Sequence, residues 1–191
     1  MIDEIAKRYV FLDRDGVINK DSQDYVKNWS EFEFIPGSVE AIRLLTRNNY
    51  PVVIITNQSI INRKMATPDD LEFIHAMMKK AIKKEGGEIK DIFFCPHKPE
   101  DACACRKPEP GLILEAQKKY GIAINKSVMV GDNMKDIECA RRAGCRYAIL
   151  VKTGNWKQAV HALKEKKIFP DYIAGDLYEA AGWIIAMDNC K

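Results

Sequence analysis

Residues 9–17 read YVFLDRDGV, in which four apolar positions, Tyr9–Leu12, run unbroken into the turn Asp13-Arg14-Asp15-Gly16. An unbroken apolar run of strand length is the pattern of a strand buried on both faces; a strand with one wet face alternates instead. The same pattern recurs at Val52–Thr56, Ile92–Phe94, Val128–Val130 and Tyr147–Val151, with a further strand near Tyr172-Ile173. Longer amphipathic segments lie between them: Val39–Asn48, Asp69–Lys84, Gly111–Tyr120, Asp136–Ala143, Lys157–Lys166 and Leu177–Met187. Thr67-Pro68-Asp69-Asp70 predicts a helix start, with Thr67 as N-cap, Pro68 at the first position and Asp70 closing a capping box. Gly121 and Gly144 are placed to stop helices. Buried strands alternating with helices predict an α/β fold, a doubly wound and mostly parallel sheet of Rossmann-like type. We expect residues 1–191 to form one domain.

In such a sheet the functional groups gather beyond the carboxyl ends of the strands. Asp13, Arg14 and Asp15 follow the first strand, and Thr56, Asn57, Gln58 and Ser59 end the second. A cysteine-rich loop and Lys107 follow the third, and Gly131, Asp132 and Asn133 the fourth. Carboxylates brought together repel unless a cation intervenes. Oxygen donors without a local His or Cys select Mg²⁺, which favours one or two carboxylates plus a substrate phosphate. Lys107 and Thr56 suit that phosphate.

The cysteine-rich loop, residues 95–110, reads CPHKPEDACACRKPEP. Cys95, His97, Cys103 and Cys105 make a Cys₃His set, which by ligand type and number predicts a structural Zn²⁺. Four protein ligands close the metal's coordination, so the chemistry is sought elsewhere. Cys139, Cys145 and Cys190 read as small apolar residues.

Thirty basic and 27 acidic residues nearly cancel, which argues against a nucleic-acid tether. Charges interrupt every apolar run of MIDEIAKRYVFLDRD, unlike a signal peptide, and no stretch approaches the ~20 apolar residues of a membrane span. The expectation is a cytoplasmic, monomeric protein with a phosphorylated small-molecule partner and neither nucleic acid nor membrane. His75, His161, Trp29, Trp156 and Trp183 read as surface or packing residues, and Lys79–Lys84 and Lys164–Lys167 as solvated helix faces.

The ordered set DRDGV, TNQS, RKP and GDNMKD resembles the haloacid dehalogenase superfamily. With its zinc loop, the chain resembles the small members that lack a cap domain, which include heptose bisphosphate phosphatases and histidinol-phosphate phosphatase. The resemblance covers Tyr9 to about Gly154, including the flap Asp21–Val26 and the turn Pro36-Gly37-Ser38. It implies a Mg²⁺-dependent phosphomonoesterase acting on a sugar phosphate, foremost D-glycero-D-manno-heptose 1,7-bisphosphate at its 7-phosphate. Histidinol phosphate is the alternative substrate. A silent zinc-loop interaction module is the alternative of another class.

Carried over, Asp13 is the nucleophile that forms an aspartyl phosphate, and Asp15 is the acid and base. Mg²⁺ is held by Asp13, the Asp15 backbone carbonyl and Asp132. Thr56 and Lys107 hold phosphoryl oxygens. Substrate contacts fall to Asp21, Ser22, Gln23, Asp24, Asn57, Gln58, Ser59, Arg63, Arg106 and Asn133, and Asp136 orients Asn133 or supports the metal. Ile60 and Lys64 stand where the family pattern has glycine, and Asn133 where it often has lysine.

Overall fold

Val10 and Leu12 pack into one apolar layer and Phe11 into another, so the first strand is buried from both sides. The computed structural model describes residues 8–189; Met1–Lys7, which enter the signal-peptide reading, and Cys190 lie outside them. The strands are β1 (Val10–Leu12), β2 (Val52–Asn57), β3 (Ile89–Cys95), β4 (Val128–Gly131), β5 (Tyr147–Val151) and β6 (Tyr172–Ala174). All pair in parallel, in the order β3-β2-β1-β4-β5-β6. Val10 sits in register with Val52 on one side and Val128 on the other.

Six helices cover the sheet: α1 (Ser38–Arg47), α2 (Pro68–Lys84), α3 (Gly111–Tyr120), α4 (Met134–Ala143), α5 (Trp156–Glu165) and α6 (Leu177–Asn189). α1, α2 and α6 supply Ile42, Met78 and Ala181 to the layer of Val10 and Leu12. α3, α4 and α5 supply Ile113, Ile137 and Leu163 to the layer of Phe11. The fold is thus the expected doubly wound parallel type, and the strand order reverses between β1 and β4. That switch point opens a crevice at the carboxyl ends of these two strands.

The capping box of α2 is present: Thr67 Oγ1 accepts from the Asp70 N–H at 3.1 Å, and Asp70 Oδ2 from the Thr67 N–H at 2.8 Å. Gly121 and Gly144 end α3 and α4 in the left-handed conformation. β3 is longer than the predicted Ile92–Phe94, because Lys90-Asp91 breaks the apolar run. As an edge strand it tolerates polar residues at positions that a central strand could not.

The segment between β1 and α1 carries the flap and no inserted domain. It closes on itself through bridges Asp15–Asn19 and Asn19–Phe34, and through the ring of Phe32, stacked on Trp29 at 4.9 Å and edge-to-face with Phe34 at 5.0 Å. Cys139 and Cys145 are buried, as their apolar reading requires. None of the described helices is long and apolar enough to cross a membrane.

Candidate active site

Asp13 leaves β1 with its N–H bonded to the Val130 carbonyl at 3.0 Å, so the β1–β4 pairing continues to the site itself. Its carboxylate accepts the Arg14 N–H at 2.7 Å through Oδ1, and Oδ2 lies 2.8 Å from Lys107 Nζ. Lys107 Nζ also lies 2.5 Å from Asp136 Oδ1. Asp132, from the end of β4, completes a cluster in which carboxylate oxygens of Asp13, Asp132 and Asp136 come within 4.8 Å of one another. The Asp132 carboxylate fits between backbones: a Cβ on Gly16 would stand 2.4 Å from its Oδ2, and one on Gly154 2.1 Å.

Lys107, Thr56, Asp132 and Asp136 are at most 2% exposed. Burial raises the pKa of Asp13 well above the carboxylate range; Lys107 pulls it down, and Asp136 and Asp132 add to the rise. Burial and the charge of Asp136 push Asp132 up to about 7. Burial also opposes the Lys107 ammonium, but Asp13 and Asp136 push its pKa up overall. Three carboxylates against one ammonium leave two negative charges in excess, the charge of one divalent cation. An all-oxygen donor set is the chemistry of Mg²⁺, so these residues fit that ion.

Asp15 is not part of that cluster. Its Oδ1 accepts from Arg14 Nη2 at 2.9 Å, Arg14 Nε at 3.2 Å and Asn19 Nδ2 at 2.8 Å; its Oδ2 accepts from Arg14 Nη2 at 2.9 Å and Gln58 Nε2 at 2.8 Å. Burial disfavours the Asp15 carboxylate, yet Arg14 and these donors hold its carboxyl below the usual range.

In the loop after β3, the sulfurs of Cys95, Cys103 and Cys105 are 3.1–3.5 Å apart, and His97 Nδ1 lies 3.5 and 3.3 Å from those of Cys95 and Cys105. A tetrahedral zinc site, with Zn–S of about 2.3 Å, has ligand separations of about 3.6–3.8 Å. Four donors converging this closely without a disulfide could hold such an ion. Arg106 Nη1 donates to the His97 carbonyl at 2.8 Å, tying the cluster to the residue before Lys107.

The sequence pattern of the haloacid dehalogenase-like hydrolase family matches residues 10–70, and that of HAD-hydrolase-like proteins residues 104–180. The D-glycero-beta-D-manno-heptose-1,7-bisphosphate 7-phosphatase of Pseudomonas aeruginosa is 42% identical over 150 residues, 78% of this chain and 84% of that protein. The chain belongs to the haloacid dehalogenase-like hydrolases. The hydrolase is also similar to the D-glycero-alpha-D-manno-heptose-1,7-bisphosphate 7-phosphatase of Photorhabdus laumondii, 38% identical over 78% of this chain and 84% of that protein. In structure it is similar to the D,D-heptose 1,7-bisphosphate phosphatase of B. bronchiseptica complexed with magnesium and phosphate. The TM-score there is 0.87 and the identity 36%, over 94% of this chain and 99% of that one.

In this hydrolase Asp13, Asp15, Thr56, Lys107 and Asp132 all line one cavity of about 280 Å³, and Asp21, Ser22, Gln23, Asn57, Arg106 and Asn133 share its walls. Four residues expected to touch substrate do not line it. Gln58 and Ser59 are buried, and Gln58 Nε2 is spent on Asp15 Oδ2 and, at 2.9 Å, on Thr56 Oγ1. Asp24 is exposed, its carbonyl accepting from Lys27 Nζ. Arg63 is also exposed, its guanidinium 6.0 Å from the ring of Tyr25. Asn57 lines the wall, and its side chain also grips the Lys107 backbone, accepting its N–H at 3.0 Å and donating to its carbonyl at 3.2 Å. Asp136 Oδ2 accepts the Asn133 N–H at 3.0 Å, while its Oδ1 is paired with Lys107.

The loop after β5 was not anticipated. Thr153 Oγ1 donates to the Gly16 carbonyl at 2.6 Å. The Asn155 N–H donates to Asp132 Oδ2 at 2.7 Å, and Asn155 Nδ2 to Asp21 Oδ2 at 2.7 Å. Reading past the fifth strand, as was done for the first four, would have found it.

Proposed function

We propose that the chain is a Mg²⁺-dependent phosphomonoesterase that removes the 7-phosphate of D-glycero-D-manno-heptose 1,7-bisphosphate, with residues 1–191 acting as one phosphatase domain. The observation that carries this reading is the Asp13 carboxylate at the switch point, paired with Lys107 and crowded by Asp132 and Asp136. Relatives at about 40% identity carry that phosphatase's name.

An Asp13 carboxylate oxygen attacks phosphorus; the bond from phosphorus to the sugar oxygen breaks, and Asp15, in the minor protonated form that its low pKa makes strongly acidic, gives that oxygen a proton. Water then attacks the aspartyl phosphate and loses a proton to Asp15. The bond from phosphorus to Asp13 breaks, so phosphate leaves and both carboxyl groups return to their starting states. Lys107 is placed to hold an equatorial phosphoryl oxygen. Because Gln58 donates to Thr56 Oγ1, the threonine's own hydrogen is free to point to a second one. Mg²⁺, held by Asp13, Asp132 and the Asp15 carbonyl with Asp136 in support, supplies neutralising charge to the phosphoryl group when bound. Zn²⁺, held by Cys95, His97, Cys103 and Cys105, stiffens the loop that presents Arg106 and Lys107. The exposed flap residues Asp21, Ser22 and Gln23, with Asn57, Arg106 and Asn133, face the sugar.

The test is phosphate release, with and without Mg²⁺, from both anomers of heptose 1,7-bisphosphate, fructose 1,6-bisphosphate and histidinol phosphate. The reading expects Mg²⁺-dependent release with highest kcat/KM on one heptose anomer. Preference for histidinol phosphate would replace the substrate and keep the mechanism. Release from none would remove the function.

A further inference from the structure

Arg14 is 1% exposed, and its charge lies between two partners from different parts of the chain. On one side Nε and Nη2 hold Asp15. On the other, Nη1 lies 3.2 Å from His75 Nε2. His75 belongs to α2, where Leu71, Ile74, Met78 and Ile82 make the buried stripe, and it is 8% exposed with its ring edge-on to Phe94 at 6.0 Å. An imidazole set into an apolar stripe needs a polar partner. The nitrogen facing Arg14 must be an acceptor, since a guanidinium has only donors. Burial and the charge of Arg14 hold His75 neutral, its pKa down to about 3, so that acceptor persists at physiological pH.

We propose that His75, which does not line the cavity, is a positioning residue for Asp15 that acts through Arg14. A guanidinium is a rigid plane. With Nη1 held by His75 and Nε and Nη2 by Asp15, the plane cannot swing, and the carboxylate it grips keeps its facing. Asn19 and Gln58 close the remaining sides. Without an acceptor at the His75 position, a buried N–H is stranded, Arg14 turns to satisfy it, and Asp15 follows. The inference rests on the acid and base role of Asp15 proposed above.

The experiment uses two amides of different reach. In His75→Gln the side-chain oxygen can take the place of Nε2; in His75→Asn it falls short. kcat/KM reports steps up to departure of the leaving group, which needs a proton from Asp15 for a sugar alkoxide and not for nitrophenolate. For heptose 1,7-bisphosphate we expect His75→Asn to lower kcat/KM about 10- to 100-fold, and for p-nitrophenyl phosphate less than about 3-fold. His75→Gln should stay within about 3-fold of the parent on both. Equal behaviour of the two variants, or equal losses on the two substrates, overturns the proposal. Asp15→Asn is the control: if it fails to separate the two substrates, the role of Asp15 falls first and takes that of His75 with it. If it separates them and His75→Asn does not, only the role of His75 falls.

Discussion

The two clusters of ligand atoms are built in opposite ways. Cys95, His97, Cys103 and Cys105 come from one short loop, while Asp13 follows β1 and is brought by the sheet to Asp132 and Asp136 at the β4–α4 junction, more than a hundred residues away. A metal held by the sulfur cluster would order the segment that contains it, and so would belong to the fold. The carboxylate cluster is imposed by a sheet that is buried and paired whatever the cluster holds, so a metal held there would belong to the chemistry. Losing one ion should therefore be felt as lost stability, and losing the other as lost turnover.

Asp13→Asn should break turnover alone. We expect kcat to fall about 10⁴-fold or more, with zinc content and melting temperature unchanged or slightly raised, since a buried like-charge contact is relieved. A melting temperature lowered as far as in a cysteine variant would erase the contrast. Cys103→Ser should do the reverse. Zinc is lost, melting falls by about 6–12 °C, corresponding to ~3 kcal/mol, and kcat/KM drops about 10- to 100-fold as Arg106 and Lys107 lose their fixed loop. Metal analysis and calorimetry check it.

The pH dependence sharpens the comparison from the carboxylate side. Asp132 has a folded pKa of about 7, above the unfolded carboxylate value of about 4. Between these values the folded, cation-free protein keeps a proton that the unfolded chain has lost, so stability declines as pH rises through the window and levels off above about 7. Mg²⁺ bound at the cluster would displace that proton. The rise in melting temperature on adding Mg²⁺ should therefore be larger at pH 7.5 than at pH 5.5, and the opposite order would contradict the charge argument.

The smallest effect belongs to a position outside both clusters. Lys64 is exposed and holds φ +57°, in the left-handed region that costs a side chain about 1 kcal/mol. Lys64→Gly should raise melting by about 2–4 °C and leave both metals and kcat/KM as they were.

The sheet was legible because its strands are apolar runs bounded by helix stops, and four strand ends pointed to Asp13, Thr56, Lys107 and Asp132, which share one cavity. The convergence of Cys95, His97, Cys103 and Cys105 was legible because they are close in sequence. What the pattern hides is the direction of a side chain once the strand has ended. Gln58 follows β2 directly, yet it turns inward, because Asp15 and Thr56 both present acceptors there. Nor does a linear pattern tell a histidine on the buried face of α2 from an exposed one such as His161. That distinction needs a buried guanidinium, brought by β1, to stand opposite it.

Asp21, Ser22 and Gln23 stand exposed on the flap, above groups that are at most 2% exposed. Substitutions at such exposed positions ordinarily shift stability by no more than about 0.5 kcal/mol, whereas those at the buried groups remove the reaction or the fold. Selection can therefore retune which phosphate ester is admitted, one flap residue at a time, without passing through an inactive or unfolded intermediate. A scaffold organised this way diversifies by changing its doorway while the reacting centre is inherited intact.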